Sequence, residues 1–222
     1  HLAQEKKPRV SVELLGKCLD SGGMPVPAFT RSREQRDQYW RLWLETTLTR
    51  DLARFFRRNY DPDLAQGILL EMGKILAEGE LPTLKHFSYP AIKLRTYLQA
   101  MEDIFLVRRV PCHPRGTGKE VWLLMDSGLA AHLMPARHGE GPTLALVRHL
   151  IWNEWHVQAE CQGKRLQREY YKSIHGTAID AIIDGIPVKI VASESDVGRR
   201  RGWAEKPLLG AMKTLKSKSG FL

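Results

Sequence analysis

Cysteine is scarce: Cys18, Cys112 and Cys161 are the only three in 222 residues. Their odd number and wide spacing exclude a disulfide framework and a Cys-x-x-Cys zinc site. A reducing, cytoplasmic compartment is therefore the expected one. Long apolar runs are missing too. None approaches the roughly 20 residues of a membrane-crossing helix, and the opening His-Leu-Ala-Gln-Glu-Lys-Lys-Pro has no signal-peptide core. No membrane partner is expected. His132, His138, His149 and His156 lack repeated ligand spacing, which argues against a zinc centre. The Gly-Lys of Arg-Gly-Thr-Gly-Lys-Glu, residues 115–120, lacks the other parts of a phosphate loop. His113 stands where the first glycine belongs, Glu120 replaces the serine or threonine, and a strand follows instead of a helix.

Apolar residues make up 43% of the chain, enough for one large domain or two small ones with real cores. Acids are outnumbered, and the net charge is +9. Such a balance invites a nucleic-acid partner. Its distribution tempers that reading, because the stretch from Arg199 to Leu222 holds seven cations and one acid, Glu205. The final Ser-Gly-Phe-Leu reads as a strand cut short. Both ends together suggest a piece of a longer polypeptide.

Apolar spacing predicts a helix at 10–20, a turn-rich link through Gly-Gly-Met-Pro-Val-Pro-Ala-Phe, and a long helix from Arg33 to Tyr60. Trp40, Trp43, Leu44, Thr47, Leu48, Leu52 and Phe55 form its inner stripe. Helices follow at 61–80 and 89–105, the second with Leu94, Tyr97, Leu98 and Met101 inside and Lys93, Arg95, Thr96 and Gln99 outside. Two strand-like runs, 105–112 and 120–126, join through a Pro/Gly-rich segment. Helices followed by a hairpin are the layout of a winged helix-turn-helix. Beyond a short helix and a glycine-rich loop at 136–143 come a helix, strand-like runs at 166–174, 177–183 and 186–192, and a helix at 207–217. The expected fold is mixed α+β. A helical linker region spans 1–60, a winged helix-like domain 61–135, and a small α/β unit 136–222.

The α/β unit has the outline of a restriction-endonuclease-like core. Such an enzyme holds Mg²⁺ between an acid on one strand and a second acid, two residues before a lysine, on the next. Asp180 fits the first position. Lys189 occupies the second acid's place and Val191 the lysine's, on one face by strand alternation. A cation at an oxygen-ligand position repels Mg²⁺, so cleavage is not expected.

Four stretches resemble a domain of unknown function that follows the ATPase module in bacterial and archaeal AAA-type ATPases: Ser-Gly-Gly-Met-Pro-Val-Pro, the tryptophan helix ending in Arg50-Asp51, residues 88–110 with the Asp-Ser-Gly-Leu after them, and residues 150–157 with 178–193. The resemblance implies a winged helix plus a degenerate nuclease-like domain, with ATP and Mg²⁺ belonging only to an upstream ATPase module. Where the family's preceding helix has an early glutamate stands Arg148, while Glu154 matches a later one; Asp180, Glu154 and Lys189 are the residual nuclease-like positions. The expected activity is non-catalytic binding of DNA, a protein partner or the chain's own ATPase module. Lys93, Arg95, Thr96 and Gln99, with Arg115 and Lys119 on the wing, form the candidate DNA face. Two alternatives stand beside it. One is a metal-dependent nuclease with migrated acids drawn from Asp180, Asp184, Glu154 and Glu194; the other is a pure assembly module.

Overall fold

The computed structural model describes residues 12–56, 58–135, 143–163, 168–173, 178–190 and 194–221. It is a mixed α+β chain with two small antiparallel sheets among the described residues. None of the described helices is long and apolar enough to cross a membrane.

The N-terminal part is helical. Helix α1 (Val12–Ser21) packs against α6 (Ser127–Leu133). Asp126 joins them, because its carboxylate accepts from the first α6 amides, Gly128 and Leu129, and from the amide of Gly23. The expected Pro-rich link contains a one-turn helix, α2 (Pro25–Phe29); proline at its first positions pre-sets the helical φ. Helix α3 (Arg33–Thr46) starts at the Ser32 cap and buries Trp40 and Leu44. It does not run on to Tyr60. A π-helical turn at Thr47–Asp51 and a 3₁₀ turn at Leu52–Phe55 end it. The Thr46 and Thr49 hydroxyls bond back to the carbonyls of Leu42 and Glu45, a contact that loosens helices. Asn59, at φ 62°, completes the break.

Helix α4 (Pro62–Ala77) begins at the Asp61 cap and buries Leu64, Ile68, Leu69, Met72, Ile75 and Leu76. A 3₁₀ turn at Leu84–His86 leads into α5 (Ala91–Asp103), whose inner stripe is Leu94, Tyr97, Leu98 and Met101. Strands β1 (Val107–Val110) and β2 (Val121–Leu124) then pair antiparallel, and Thr83 bridges to Val121 on β2's other edge.

Helix α7 (Leu144–Cys161), capped by Thr143, precedes the second sheet: β3 (Arg168–Lys172), β4 (Ala178–Ile183) and β5 (Ile186–Val188) in the order β3-β4-β5. The β4–β5 turn is Asp184-Gly185, both with positive φ, the requirement of a type I′ hairpin. Helix α8 (Glu194–Leu215) starts well before the expected residue 207 and contains Pro207 internally. After it Phe221 bridges in parallel to Val188. On the opposite edge the segment around Cys112 bridges in parallel to Tyr170 of β3. Both edges of the sheet are thereby partly covered. One apolar cluster runs from Leu19 through Trp40, Met72 and Trp122 to Ala181 and Ile190. Tyr171, Ile179, Ile182 and Ala211 form a smaller one where the sheet meets α8. The glycine-rich loop expected at 136–143 lies outside the described residues except for Thr143.

Candidate functional site

Asp180 sits in β4 at a defect in the sheet. Glu169 pairs with Ile182 and Tyr171 with Ile179, so Asp180 and Ala181 together oppose the single residue Tyr170. A β-bulge of this kind re-aims a side chain. It leaves Ile179 and Ile182 in one cluster, against α8, and Ala181 in the other. Asp180 itself is 3% exposed.

Two cations close on its carboxylate. Lys189, one step past the Ala181–Val188 pair and 5% exposed, places Nζ 3.1 Å from Oδ2. The same ammonium donates to the Ala178 carbonyl at 3.2 Å. From α7, Arg148 brings Nε to 2.7 Å from Oδ1, a contact of charge whose N–H does not lie along the hydrogen-bond line. The Ile190 amide donates to Oδ2 at 2.7 Å, and one turn along α7 the Trp152 indole donates to the Asp180 carbonyl at 3.0 Å. Both carboxylate oxygens are thus engaged by side-chain cations. A hard dication needs several oxygen donors and retains water. The donor set here is one carboxylate with two cations beside it, which does not fit Mg²⁺. Among the described residues no group of three His, Cys, Asp or Glu side chains converges.

The other acids expected of a nuclease-like core lie elsewhere. Glu154 is exposed on α7, and the six-residue step from Arg148 rotates it off the face that meets Asp180. Asp184 is exposed in the hairpin turn. Glu194 opens α8, but its side chain falls outside the described residues, as does Val191. Next to Arg148 on α7, His149 is wholly enclosed, and burial above all pushes its imidazole down to about 4.

Asp180 and Arg148 help to line a cleft of about 300 Å³ that also touches residues of both sheets. Its cationic lining is Lys85, Lys119, Arg148 and Lys172, against Glu80 and Asp180. His86 also lines it, and burial first, then the Lys85 charge, lowers its pKa. Tyr170 stands at the wall with its phenol pushed up to about 12, chiefly by burial.

The expected DNA face is divided by the fold. Lys93, Arg95, Thr96 and Gln99 lie together on the exposed side of α5. Arg95 pairs with Glu120 at 3.1 Å, Lys93 lies 4.0 Å from Asp61, Thr96 bonds back to the Ile92 carbonyl, and Gln99 donates to Asp103. The two residues expected on a wing part company. Arg115 turns away and donates to the Thr214 carbonyl in the last turn of α8, at 2.8 Å, a favourable place for a cation. Lys119 lines the cleft instead. The loop that carries them is docked, since His113 N donates to Tyr170 O, Tyr170 N to Pro111 O and Thr117 N to Lys172 O, each at 2.8 Å. Residues 115 and 119 therefore do not form a free wing.

Arg148 entered the sequence reading only as the residue displacing a glutamate, and Lys85 and Lys172 did not enter it at all. A positive residue four positions before Trp152 on one helix face was the available signal. Compared with known protein families, curated proteins and solved structures, the chain matches none.

Proposed function

We propose that the chain is a non-catalytic nuclease-like module with a winged helix-like unit, of the kind that follows an AAA-type ATPase, and that it binds DNA through phosphate contacts. The observation that carries the non-catalytic half is the Arg148–Asp180–Lys189 cluster, in which two side-chain cations take the place a metal would need. Support for the architecture is the element order α4, the Thr83 bridge, a 3₁₀ turn, α5 and a hairpin, followed by α7, three strands and α8. DNA binding is supported by a basic strip running from Lys93 and Arg95 on α5, past Glu120, to Lys119, Lys85 and Lys172 at the cleft.

Each phosphate neutralised gives a slope of roughly −0.9 in log K against log salt. A duplex titration from 50 to 200 mM salt is expected to show a slope near −3 to −5. Lys93→Ala/Arg95→Ala and Lys119→Ala/Lys172→Ala should each reduce that slope by about 1 to 2. Salt-independent binding, or an unchanged slope in both double variants, rejects this face. A second reading is a protein or ATPase-module partner on α5, where Ile92 stands 85% exposed beside Lys93. Ile92→Ser weakening capture of the ATPase module, with DNA affinity unchanged, is the result that would select it.

A further inference from the structure

Arg148 lends its charge to Asp180 without spending a hydrogen bond on it. Nε stands 2.7 Å from Oδ1, off the hydrogen-bond line, and the side chain is 16% exposed where it lines the cleft. A guanidinium carries five N–H donors in a rigid fork, and among the described residues none of the five makes a hydrogen bond. Oδ2 of Asp180 is already filled by Lys189 and the Ile190 amide. The lysines of the cleft are in a similar state. Lys85 and Lys119 are exposed and Lys172 is half-buried, and none of the three forms an ion pair among the described residues. Several cations outside the cleft are paired, as Arg95 is with Glu120, Arg109 with Glu102 and Arg50 with Asp51. Of the two acids lining the cleft, Asp180 already has Arg148 and Lys189, which leaves Glu80 to face three lysines. A concavity lined mainly by one sign of charge concentrates the opposite ion.

Geometry narrows what that ion is. The four cations come from a 3₁₀ turn, the 111–119 loop, β3 and α7, so their donors converge from different elements. The tetrahedral oxygens of a phosphate can meet such a set, whereas a carboxylate presents two oxygens in one plane. The cavity of about 300 Å³ equals roughly ten waters, room for about one nucleotide. A duplex, whose major groove alone is about 12 Å wide, can meet the exposed Lys85 and Lys119 but not Arg148.

We propose that the cleft takes a single DNA strand, with one backbone phosphate on the Arg148 fork and Lys85, Lys119 and Lys172 around it. This rests on the DNA-binding reading above and adds that the form entering the cleft is single-stranded. Fluorescence anisotropy of the full chain at fixed salt measures the affinity for an oligothymidylate and for a duplex of the same length, with inorganic phosphate and polyglutamate as competitors. Arg148→Lys keeps a cation for Asp180 but removes the fork. It is expected to weaken the single strand about tenfold or more, and the duplex far less. Lys85→Ala/Lys119→Ala changes two exposed residues and so keeps the test open if Arg148→Lys does not fold; it should weaken the strand several-fold. The ring protons of His86, which lines the cleft between Lys85 and Lys172, should shift in the strand complex, with the imidazole pKa moving upward. Wild-type strand affinity in the folded variants overturns the proposal. So does displacement of the strand by inorganic phosphate or polyglutamate at an equal concentration of anionic groups, which would assign the cleft to a free phosphate or to an acidic peptide. Salt-dependent duplex binding beside a strand indifferent to Arg148 and both lysines overturns this inference alone, whereas no salt-dependent binding of either form ends the DNA-binding reading as well.

Discussion

Replacing Asp180 by asparagine keeps the shape of the side chain and removes its charge. The amide oxygen can still accept from the Ile190 amide, which now donates to Oδ2 at 2.7 Å. The amide nitrogen must then face Arg148, whose Nε lies 2.7 Å from Oδ1. Lys189, 5% exposed, loses the Asp180 charge 3.1 Å away and retains its bond to the Ala178 carbonyl. Removing one partner of a buried pair costs about 3–5 kcal/mol, because the other charge stays buried. Against a total of about 5–15 kcal/mol for a domain, that is a large fraction. Urea unfolding followed by tryptophan fluorescence reports it, since the Trp152 indole donates to the Asp180 carbonyl. Asp180→Asn/Lys189→Met should regain about 1 kcal/mol or more over Asp180→Asn, since one buried cation is gone. A metal site made of clustered acids would behave with the opposite sign, because neutralising one acid relieves repulsion in the metal-free protein. Asp180→Asn as stable as wild type, or more stable, would refute the ion-pair account.

His149 sets an acid limit. Its pKa is lowered from 6.5 to about 4, so the unfolded chain binds the extra proton in that window, and stability present above 6.5 is lost as pH falls towards 4. The expected loss is at most about 1.4 kcal/mol per pH unit from this residue, and His149→Gln should flatten the stability curve between those values. Gly73→Ala would put a methyl 2.2 Å from the Leu133 carbonyl oxygen, where α4 meets α6. A drop of about 1–3 kcal/mol in urea unfolding is expected, and a neutral result would contradict that close approach. Arg115→Ala removes the bond to Thr214 and should cost about 0.5–1.5 kcal/mol, with faster hydrogen exchange at the amides of His113 and Thr117. Unchanged exchange would mean that the loop is held by its backbone contacts alone.

Local pattern made much of this fold legible. The stripes of α4 and α5 followed from three- and four-residue apolar spacing, and β4 and β5 from the apolar runs on either side of residues 184 and 185. Helix α3 was read too long because Trp40, Leu44, Leu48 and Leu52 keep a helical rhythm across the π turn, which still buries them. Pro207 was read as a helix start and proved internal to α8. The docking of 111–119 on β3 depends on contacts far apart in sequence. Gly116 and Gly118 were its only local trace: a Cβ at either would press at 3.0–3.2 Å on Cys112 and the β3 residues Tyr170 and Lys172. Asp180 and Lys189 were placed on neighbouring strands from spacing alone. That their charges satisfy each other, with Arg148 as the third member, depends on a bulge and on the facing of α7, neither of which periodicity encodes.

Free Mn²⁺, measured by electron paramagnetic resonance as wild-type protein is added, decides whether Asp180 serves a divalent ion or an ion pair. With Lys189 and Arg148 on the carboxylate, the free-ion signal at millimolar Mn²⁺ is expected to stay undiminished, and identical for wild type and Asp180→Asn. A saturable loss of that signal in wild type that disappears in Asp180→Asn would contradict it.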